Sequence, residues 1–201
     1  TVLNPKGIKL SAKLDKPVSG NVKAYALFSH CFTCSMELKS IANINRSLTD
    51  LGIAVFRFDM TGIGSSEGNF PDTNFTTQLE DQQSVMTYVS QNYEPVKLLI
   101  GHSLGGTISL FTALDTESVK AVATIASPAE PRFLAEKLKN TKQRADIEGI
   151  ADTEIGGVKF KFKPQFFKDI NSYSLLVKLR HLNKPYLILH SNADSYSSIE
   201  N

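Results

Sequence analysis

The chain of 201 residues has no tryptophan, only two cysteines and only four histidines. It also has no apolar run as long as a membrane-spanning helix requires, so nothing in it indicates a membrane protein. Lys and Arg number 22 against 20 for Asp and Glu, which excludes the strongly basic surface typical of nucleic-acid binding. With 41% hydrophobic residues, the chain can bury the core of one globular domain.

The two cysteines, Cys31 and Cys34, lie three positions apart and have no further pairing candidates. Their scarcity and the lack of a recognisable signal segment favour a reducing, cytoplasmic setting, although a removed leader stays open because residue 1 is not Met. A C-x-x-C at a predicted helix N-terminus suits disulfide exchange or a redox switch, since that position lowers the pKa of a thiol. The alternative is two small thiols that pack under a loop. A zinc site is disfavoured because no second ligand pair accompanies them.

Short apolar runs alternate with helical periodicity along most of the chain, which predicts an α/β fold: a mostly parallel sheet with helices on both faces. The predicted strands cover 23–29, 53–59, 96–100, 119–125 and 186–189, and the predicted helices lie around 38–51, 79–89 and 108–114. A less regular stretch, about 128–184, interrupts this rhythm. We therefore expect a single domain over residues 1–201 with a cap-like insert.

Within the insert, residues 155–158 (Ile-Gly-Gly-Val) have the form of a tight hairpin turn. After the turn, apolar residues alternate with lysines over 158–163, so one face of the strand is apolar and the other cationic. The lysines are interpreted as protection of a strand edge in preference to attraction of an anionic substrate. The phenylalanines either pack or line an acyl pocket.

The most informative motif is Gly101-His102-Ser103-Leu104-Gly105, which follows an apolar strand and opens a predicted helix. A G-x-S-x-G in this strand-turn-helix context holds the serine on a strained turn with its hydroxyl projecting from the sheet. The flanking glycines let the chains pass closely. Ser103 is therefore the candidate nucleophile; the alternative is a glycine-rich connection with an incidental serine.

A serine hydroxyl is a weak nucleophile, so it needs a base and hydrogen-bond donors for the oxyanion that forms on the attacked carbonyl. The amide of Leu104, at the predicted helix N-terminus, is one candidate donor. The second is the amide of Phe32, with Cys31 next, in the loop that follows the strand over 23–29. His30 either orients this loop by hydrogen bonding or is an ordinary satisfied histidine.

A second glycine cluster, 61–68, follows the strand over 53–59. It superficially resembles a phosphate-binding loop but lacks the lysine and the immediate helix that such a loop requires. We expect a tight structural turn anchored by Asp59 through hydrogen bonds to the backbone.

Short runs spread over most of the chain carry a family resemblance. They are 29–35 (SHCFTCS), 56–68 (FRFDMTGIGSSEG), 72–75 (DTNF), 101–106 (GHSLGG), 123–128 (ATIASP), 154–157 (EIGG) and 189–194 (LHSNAD). Together they resemble the α/β-hydrolase superfamily, and more narrowly the bacterial hydrolases often fused upstream of an OsmC-type peroxidase domain. The resemblance implies a serine esterase or acyl hydrolase for a small-molecule ester or acyl substrate, with an OsmC-type domain fused or as partner. We expect no cofactor and no metal.

Asp194 matches the acid position of this family, where a carboxylate fixes the tautomer of the catalytic histidine. The alternative is an aspartate that merely forms the turn over 191–195. Glu130, after the preceding predicted strand, is the lesser candidate, because some hydrolases place the acid there.

The catalytic base is difficult to assign. In this fold the histidine follows the acid in the chain, and residues 195–201 contain no histidine. His30, His102, His181 and His190 all precede Asp194, His102 is expected to point away from Ser103, and His190 is the least implausible substitute. We therefore expect a C-terminally incomplete chain, lacking its last strand or strands and helix, that hydrolyses activated esters poorly. A sheet edge exposed in this way invites pairing into a homodimer.

Two alternatives to an active esterase stay open from the sequence. One is a catalytically inactive hydrolase-fold domain that serves protein interaction. The other is a thiol module regulated through Cys31 and Cys34, in which oxidation distorts the Phe32 donor loop.

Overall fold

The computed structural model describes residues 1–199 as ten strands, seven helices and one 3-10 turn. The strands are β1 Val2–Leu3, β2 Lys9–Leu10, β3 Ala12–Asp15, β4 Ala24–Ser29, β5 Ile53–Phe58, β6 Leu98–His102, β7 Ala121–Ile125, β8 Ala151–Ile155, β9 Val158–Phe162 and β10 Tyr186–Leu189. The helices are α1 Lys39–Asp50, α2 Phe75–Asn92, α3 Leu104–Asp115, α4 Arg132–Lys137, α5 Lys139–Glu148, α6 Pro164–Ile170 and α7 Leu176–Leu179. The 3-10 turn covers Phe70–Asp72.

The centre of the molecule is a six-stranded sheet in the order β10-β7-β6-β4-β5-β3. All neighbouring strands in it are parallel except β3, which runs antiparallel to β5. The register pairs Ser29 of β4 with Gly101 of β6, so the loops that follow these two strands leave the sheet side by side. The prediction of a mostly parallel α/β sheet is thereby confirmed.

Both faces of the sheet are covered, as the near-continuous apolar strands require. On β4, Leu27 faces a large core cluster shared with α2 and α3, while Phe28 faces a smaller one with Ile41 of α1. This two-sided burial explains why β4 is apolar at nearly every position. β10 is different, because all four of its side chains are exposed, from 38% at Tyr186 to 59% at Ile188.

The segment between β7 and β10 holds α4 to α7 and the β8–β9 hairpin. Gly156 and Gly157 both have positive φ, 60° and 80°, as a two-residue type I′ turn requires, so the predicted hairpin is confirmed. Across the hairpin, Lys159 lies opposite Glu154 and Lys161 opposite Asp152. These opposite charges stabilise the pairing of the two strands, which supports a structural role for the lysines.

The structure corrects two expectations at the N-terminal side. The short β1–β2 pair and the antiparallel β3 were not predicted. α1 begins at Lys39, behind a turn over 35–38, so the C-x-x-C does not sit at a helix N-terminus. Within residues 1–199, no helix combines the length and apolarity that crossing a membrane would take.

Candidate active site

Ser103 forms a sharp turn between the end of β6 and the start of α3. Its backbone has φ 51° and ψ −127°, a conformation that side-chain-bearing residues rarely adopt. The Ser103 amide donates to the carbonyl of Ile125 at the end of β7, at 2.9 Å. The predicted strand-turn-helix context of the motif is thus present.

The two flanking glycines leave no room for a side chain. A Cβ on Gly101 would lie 2.3 Å from the carbonyl oxygen of Gly105, and a Cβ on Gly105 would lie 2.3 Å from that of Ser29. Both distances are far inside van der Waals contact, so the close approach of β4, β6 and α3 depends on glycine at these positions.

Ser103 opens into a cavity of about 340 Å³ at the carboxyl ends of the strands. The same cavity is lined by Phe32, Thr33, His102, Asp194 and Ser197. The structure therefore brings the candidate nucleophile, one candidate donor and the candidate acid to one place. Within residues 1–199, the Ser103 hydroxyl forms no hydrogen bond.

Two backbone amides next to Ser103 are unpaired. Among the described residues, neither the Phe32 amide nor the Leu104 amide donates a hydrogen bond. Leu104 is the first residue of α3, where amides are left without intrahelical acceptors and favour negative charge. These are the two donors proposed from the sequence.

The loop that carries Phe32 is held by a buried histidine. His30 Nδ1 lies 2.5 Å from the Cys31 carbonyl oxygen, and His30 Nε2 accepts from the Met60 amide at 3.3 Å. One neutral tautomer, protonated at Nδ1, satisfies both contacts. Burial lowers the pKa of His30, against the opposing influence of the Cys31 carbonyl and Asp59. His30 thus orients the loop, as one of the two interpretations predicted.

Asp59 holds the far end of the same loop and the glycine-rich turn over 61–68. Its Oδ1 accepts from the Met36 amide at 2.7 Å, and its Oδ2 accepts from the Ser65 amide at 2.9 Å. The Ser66 hydroxyl donates to the Asp59 carbonyl oxygen. The expectation of a structural turn anchored by Asp59 is confirmed.

Cys31 and Cys34 are joined by a disulfide, with their Cα atoms 5.3 Å apart. The interpretation of two separate thiols packed under the loop is therefore wrong: the turn over 31–34 brings the two Cα atoms to a separation that a disulfide can span. In this oxidised form Phe32 still lines the cavity with its amide unpaired. The geometry gives no support to the hypothesis that oxidation distorts this donor. A disulfide also removes the argument for a reducing setting that rested on the cysteines.

Asp194 lies in the turn after β10 and lines the cavity with Ser103. Its Oδ1 accepts from the amides of Tyr196 and Ser197, both at 2.9 Å. These hydrogen bonds, of which the one from Ser197 has the larger effect, hold the pKa of Asp194 below its ordinary value. The carboxylate is therefore charged at neutral pH. Asp194 therefore forms a turn and also presents a charge to the cavity. No motif or periodicity in the sequence identifies Tyr196 and Ser197 as its supports.

Glu130, the lesser candidate for the acid, is engaged elsewhere. Its carboxylate accepts from the Ser174 hydroxyl and from the amides of Leu175 and Leu176, at 3.0 to 3.1 Å. It thus caps the start of α7, and it is not among the residues that line the cavity.

None of the four histidines hydrogen-bonds to Ser103. His190 Nε2 lies 2.7 Å from the Ser197 carbonyl oxygen and 3.6 Å from Asp194 Oδ2, while His181 is exposed. His102 lines the cavity, contrary to the expectation that it points away from this site, and burial lowers its pKa. Its Nδ1 is buried and has no partner within the described part of the chain.

A larger cavity of about 640 Å³ lies on the other side of Phe32. Phe32 and Thr33 line both cavities, and Phe70 and Phe160 line the larger one. The rings of these phenylalanines pack closely, with centroids 5.1 Å apart for Phe70 and Phe160 and 5.5 Å for Phe32 and Phe160. An apolar surface therefore extends from the Ser103 cavity along the β8–β9 hairpin.

Comparison with known families decides the identity of this fold. The model of the family described as serine aminopeptidase, S33, matches residues 21–146, more than half of the chain. The chain belongs to the serine aminopeptidase S33 family of α/β-hydrolases. This match includes both the Phe32 loop and the Ser103 turn.

Among the relatives of this S33 family member is a palmitoyl-protein thioesterase from mouse, ABHD10, mitochondrial. It is 35% identical over 163 residues, which are 78% of this chain and 54% of the relative. The human counterpart is 28% identical over 150 residues, 72% of this chain and 48% of the relative. The chain thus spans about half the length of the curated relatives it matches.

Solved structures agree with the fold. The esterase domain of a Rhodothermus marinus protein is 40% identical, with a TM-score of 0.76, and the match covers 100% of this chain and 78% of that one. A putative hydrolase from Agrobacterium vitis is 19% identical with a TM-score of 0.80, over 96% of this chain and 77% of that one, which shows the shared fold alone. The cytoplasmic setting and the OsmC-type partner stay predictions.

Proposed function

We propose that this S33 family member is a serine hydrolase that cleaves carboxylic esters or thioesters through an acyl-enzyme on Ser103. The observation that carries the proposal is the strained Ser103 turn, which opens into a cavity that Phe32 also lines, together with the unpaired amides of Phe32 and of Leu104, the residue after Ser103. A backbone held in an unfavourable conformation at a cavity is typical of a catalytic nucleophile.

The reaction begins when Ser103 Oγ attacks the carbonyl carbon of the substrate and its proton passes to a base. The negative charge then develops on the carbonyl oxygen, where the Phe32 and Leu104 amides stabilise it. The leaving alcohol or thiol takes the proton as the carbonyl re-forms, which leaves an ester of Ser103. Water attacks this acyl-enzyme by the same route and releases the acid.

The acyl portion of the substrate is proposed to extend past Phe32 into the larger cavity. Phe32, Phe70 and Phe160 give this route an apolar wall. A relative named as a palmitoyl-protein thioesterase and a neighbour named as an esterase support an acyl substrate. Oxygen esters and thioesters share the attacked carbonyl, so parallel assays with p-nitrophenyl and thiol esters of equal acyl length identify the preferred class.

Asp194 is proposed to orient a base and stabilise its charged form, because its carboxylate is charged and lines the Ser103 cavity. Within residues 1–199, no histidine hydrogen-bonds to Ser103, so none of them is in position to act as its base. We therefore expect slow turnover of activated esters by these 201 residues, sustained by the oxyanion donors alone.

Added imidazole tests this arrangement. It should raise the hydrolysis of p-nitrophenyl acetate roughly tenfold above the reaction of imidazole itself, part of the about 10² that a positioned base contributes. The control is Ser103→Ala at the same imidazole concentration, which should show no such gain.

Labelling by a fluorophosphonate probe, read by mass spectrometry, gives an independent test because the probe reports an activated serine. Labelling at Ser103 that imidazole accelerates supports the hydrolase. If Ser103 stays unlabelled and the gain is equal in Ser103→Ala, the proposal is wrong. The interaction-domain alternative, motivated by the missing histidine contact, then takes its place.

A further inference from the structure

A cluster of soft ligands lies beside Ser103 that the proposed reaction does not use. The sulfurs of Cys31 and Cys34 and a ring nitrogen of His102 all lie within 4.8 Å of one another. They meet because β4 and β6 are neighbours, with Ser29 opposite Gly101, so the residues after one strand face the residues at the end of the other. The sequence separation of Cys31 and His102 hides this proximity.

His102 is available as a ligand. Its Nδ1 is buried and has no hydrogen-bond partner within residues 1–199, although a buried polar atom of this kind is normally paired. His30, by contrast, uses both ring nitrogens in contacts with the Cys31 carbonyl and the Met60 amide. Of the two histidines near the disulfide, only His102 is thus left to bind an added group.

Two thiolates and an imidazole are the donor set that Zn²⁺ prefers, and C-x-x-C is the common spacing for a cysteine pair on zinc. The Cα atoms of Cys31 and Cys34 are 5.3 Å apart, close enough for both sulfurs to bind one ion. Cys34 and His102 are both half-buried, and Cys31 and His102 border the 340 Å³ cavity, so an ion has a path to the site. The cavity also leaves room for a water or substrate atom in a fourth position.

We propose that reduction of the Cys31–Cys34 disulfide creates a Zn²⁺ site formed by Cys31, Cys34 and His102. A dithiol reductant breaks the S–S bond, supplies two electrons and two protons, and itself becomes a disulfide. The ion then binds both sulfurs and displaces their two protons to solvent. In the oxidised form the sulfurs bind each other, so the site exists only after reduction.

The site has a consequence for the cavity. An ion held by Cys31 and His102 lies between the Phe32 loop and the Ser103 turn, where the carbonyl of a substrate would enter. Zn²⁺ therefore blocks the access of substrate to Ser103 in the reduced protein and has no effect on the oxidised protein. The metal site is independent of the proposed hydrolase function, whereas this inhibition depends on it.

Cobalt titration tests the site directly, because Co²⁺ takes the same ligands and its bond to thiolate gives a near-ultraviolet charge-transfer band. Protein reduced with a dithiol and desalted under nitrogen should bind one Co²⁺ per chain, and Zn²⁺ should displace it. Oxidised protein should show no band. Replacing His102 by Gln should weaken binding by at least roughly 10- to 100-fold, the loss that removing even an outer-shell partner of a ligand typically causes, and Cys34→Ser should abolish the band.

His181→Gln is the matched control, since His181 is exposed and is not one of the three residues of the cluster. Circular dichroism establishes that each variant is folded. Equal cobalt binding by His102→Gln would mean that the cysteines alone hold the ion, and binding by oxidised protein would mean another site; either result overturns the proposal.

Fluorophosphonate labelling of Ser103 with and without Zn²⁺ tests the inhibition. Zinc should abolish labelling in the reduced protein and leave labelling of the oxidised protein unchanged. Unchanged labelling in the reduced, zinc-loaded protein would overturn the closure. If cobalt binds but no form labels, the metal site stands and the proposed hydrolase fails, so the two failures are distinguishable.

Discussion

At the scale of single residues, the site depends on a strained serine and the glycines around it. Ser103, at φ 51°, is held by the hydrogen bond that its amide donates to the Ile125 carbonyl oxygen and by the packing of α3 against β4. Strain of this kind costs about 1–3 kcal/mol and persists only where the surroundings enforce it. Here the close packing of neighbouring backbones maintains the strained conformation. Gly101 and Gly105 permit this packing because they carry no side chain.

Replacing Gly105 by Ala should therefore destabilise the fold and disable Ser103. The new Cβ would lie 2.3 Å from the Ser29 carbonyl oxygen, and backbone must move to admit it. We expect a loss of about 3 kcal/mol in the free energy of unfolding, measured by urea denaturation. Gly149→Ala is the control: at φ 80° it has open space around it and should cost about 1 kcal/mol from its backbone conformation alone. Equal losses in the two variants would contradict the steric argument.

The buried His30 predicts a pH dependence of stability. Its pKa in the folded state lies below the ordinary 6.5, because burial disfavours the charged ring. Below pH 6.5 the unfolded chain binds a proton that the folded chain does not, so stability falls as the pH decreases toward the folded pKa. The slope is at most about 1.4 kcal/mol per pH unit for this group. His102, whose pKa is also lowered by burial, acts in the same direction.

Urea denaturation at pH 7.5 and pH 5.5 measures this effect. The wild-type protein should lose more stability over this interval than His30→Gln, which lacks the contribution of His30 and keeps that of His102. His181→Gln should behave as the wild type, since His181 is exposed. A variant without His30 that is as pH-dependent as the wild type would show that another group titrates.

At the scale of elements, the β8–β9 hairpin packs the segment between β7 and β10 against the loop of Phe32. Phe162 is 1% exposed and packs on Phe166 and Phe167, with ring centroids 4.8 and 5.6 Å away. It also lies edge-on to Phe32 and Phe70. The hairpin thus forms part of the wall that positions the loop.

Phe162→Ala should cost about 3–5 kcal/mol of stability, the usual effect of removing a buried aromatic ring. Val158→Ala is the matched control on the same strand, because Val158 is 44% exposed and should cost under about 0.5 kcal/mol. Thermal or urea unfolding checks both. A near-neutral Phe162→Ala would mean that the hairpin is not packed on the core as described.

Sequence patterns predicted the elements whose side chains are strongly apolar and missed those whose burial depends on small or polar groups. β4, with five consecutive buried residues, was evident, and so was the alternation in β9. α5 was not, because its buried residues, Thr141 and Ala145, leave no apolar stripe. β3 was missed because Lys13 and Asp15 interrupt a short strand that pairs on one side only.

The candidate site divides in the same way. Ser103 and the two amides were predictable because they belong to local segments whose strand, turn and helix signals are present in the sequence. The disulfide and the approach of His102 depend on a pairing of β4 with β6 that no local pattern specifies. The support of Asp194 by Tyr196 and Ser197 is a turn geometry, which residue types alone do not determine.

At the scale of the whole molecule, the two sheet edges differ. β3 closes one edge antiparallel to β5, whereas β10 forms the other edge with Leu187, Ile188 and Leu189 about half exposed. Alternate residues of a strand point to opposite faces, so both faces are uncovered there. An apolar strand with unpaired backbone groups on its outer side is a surface for association.

We expect these 201 residues to associate through β10 in a concentration-dependent way. Ile188→Lys should shift the molecule toward monomer, because a charge on the edge opposes pairing. Leu51→Lys is the control, since Leu51 is 63% exposed at the end of α1, away from that edge. Size-exclusion chromatography with light scattering checks both; a wild-type protein that stays monomeric throughout would contradict the expectation.

Two buried side chains hold the segment 31–36, one at each end. His30 fixes the Cys31 carbonyl at the beginning of this segment, and Asp59 fixes the Met36 amide at its end. Neither contact involves sulfur, so we expect both to persist when the disulfide is reduced. Reduction followed by metal binding therefore replaces one S–S bond by two bonds from sulfur to the ion, and we expect the backbone on which a substrate would rest to keep its shape.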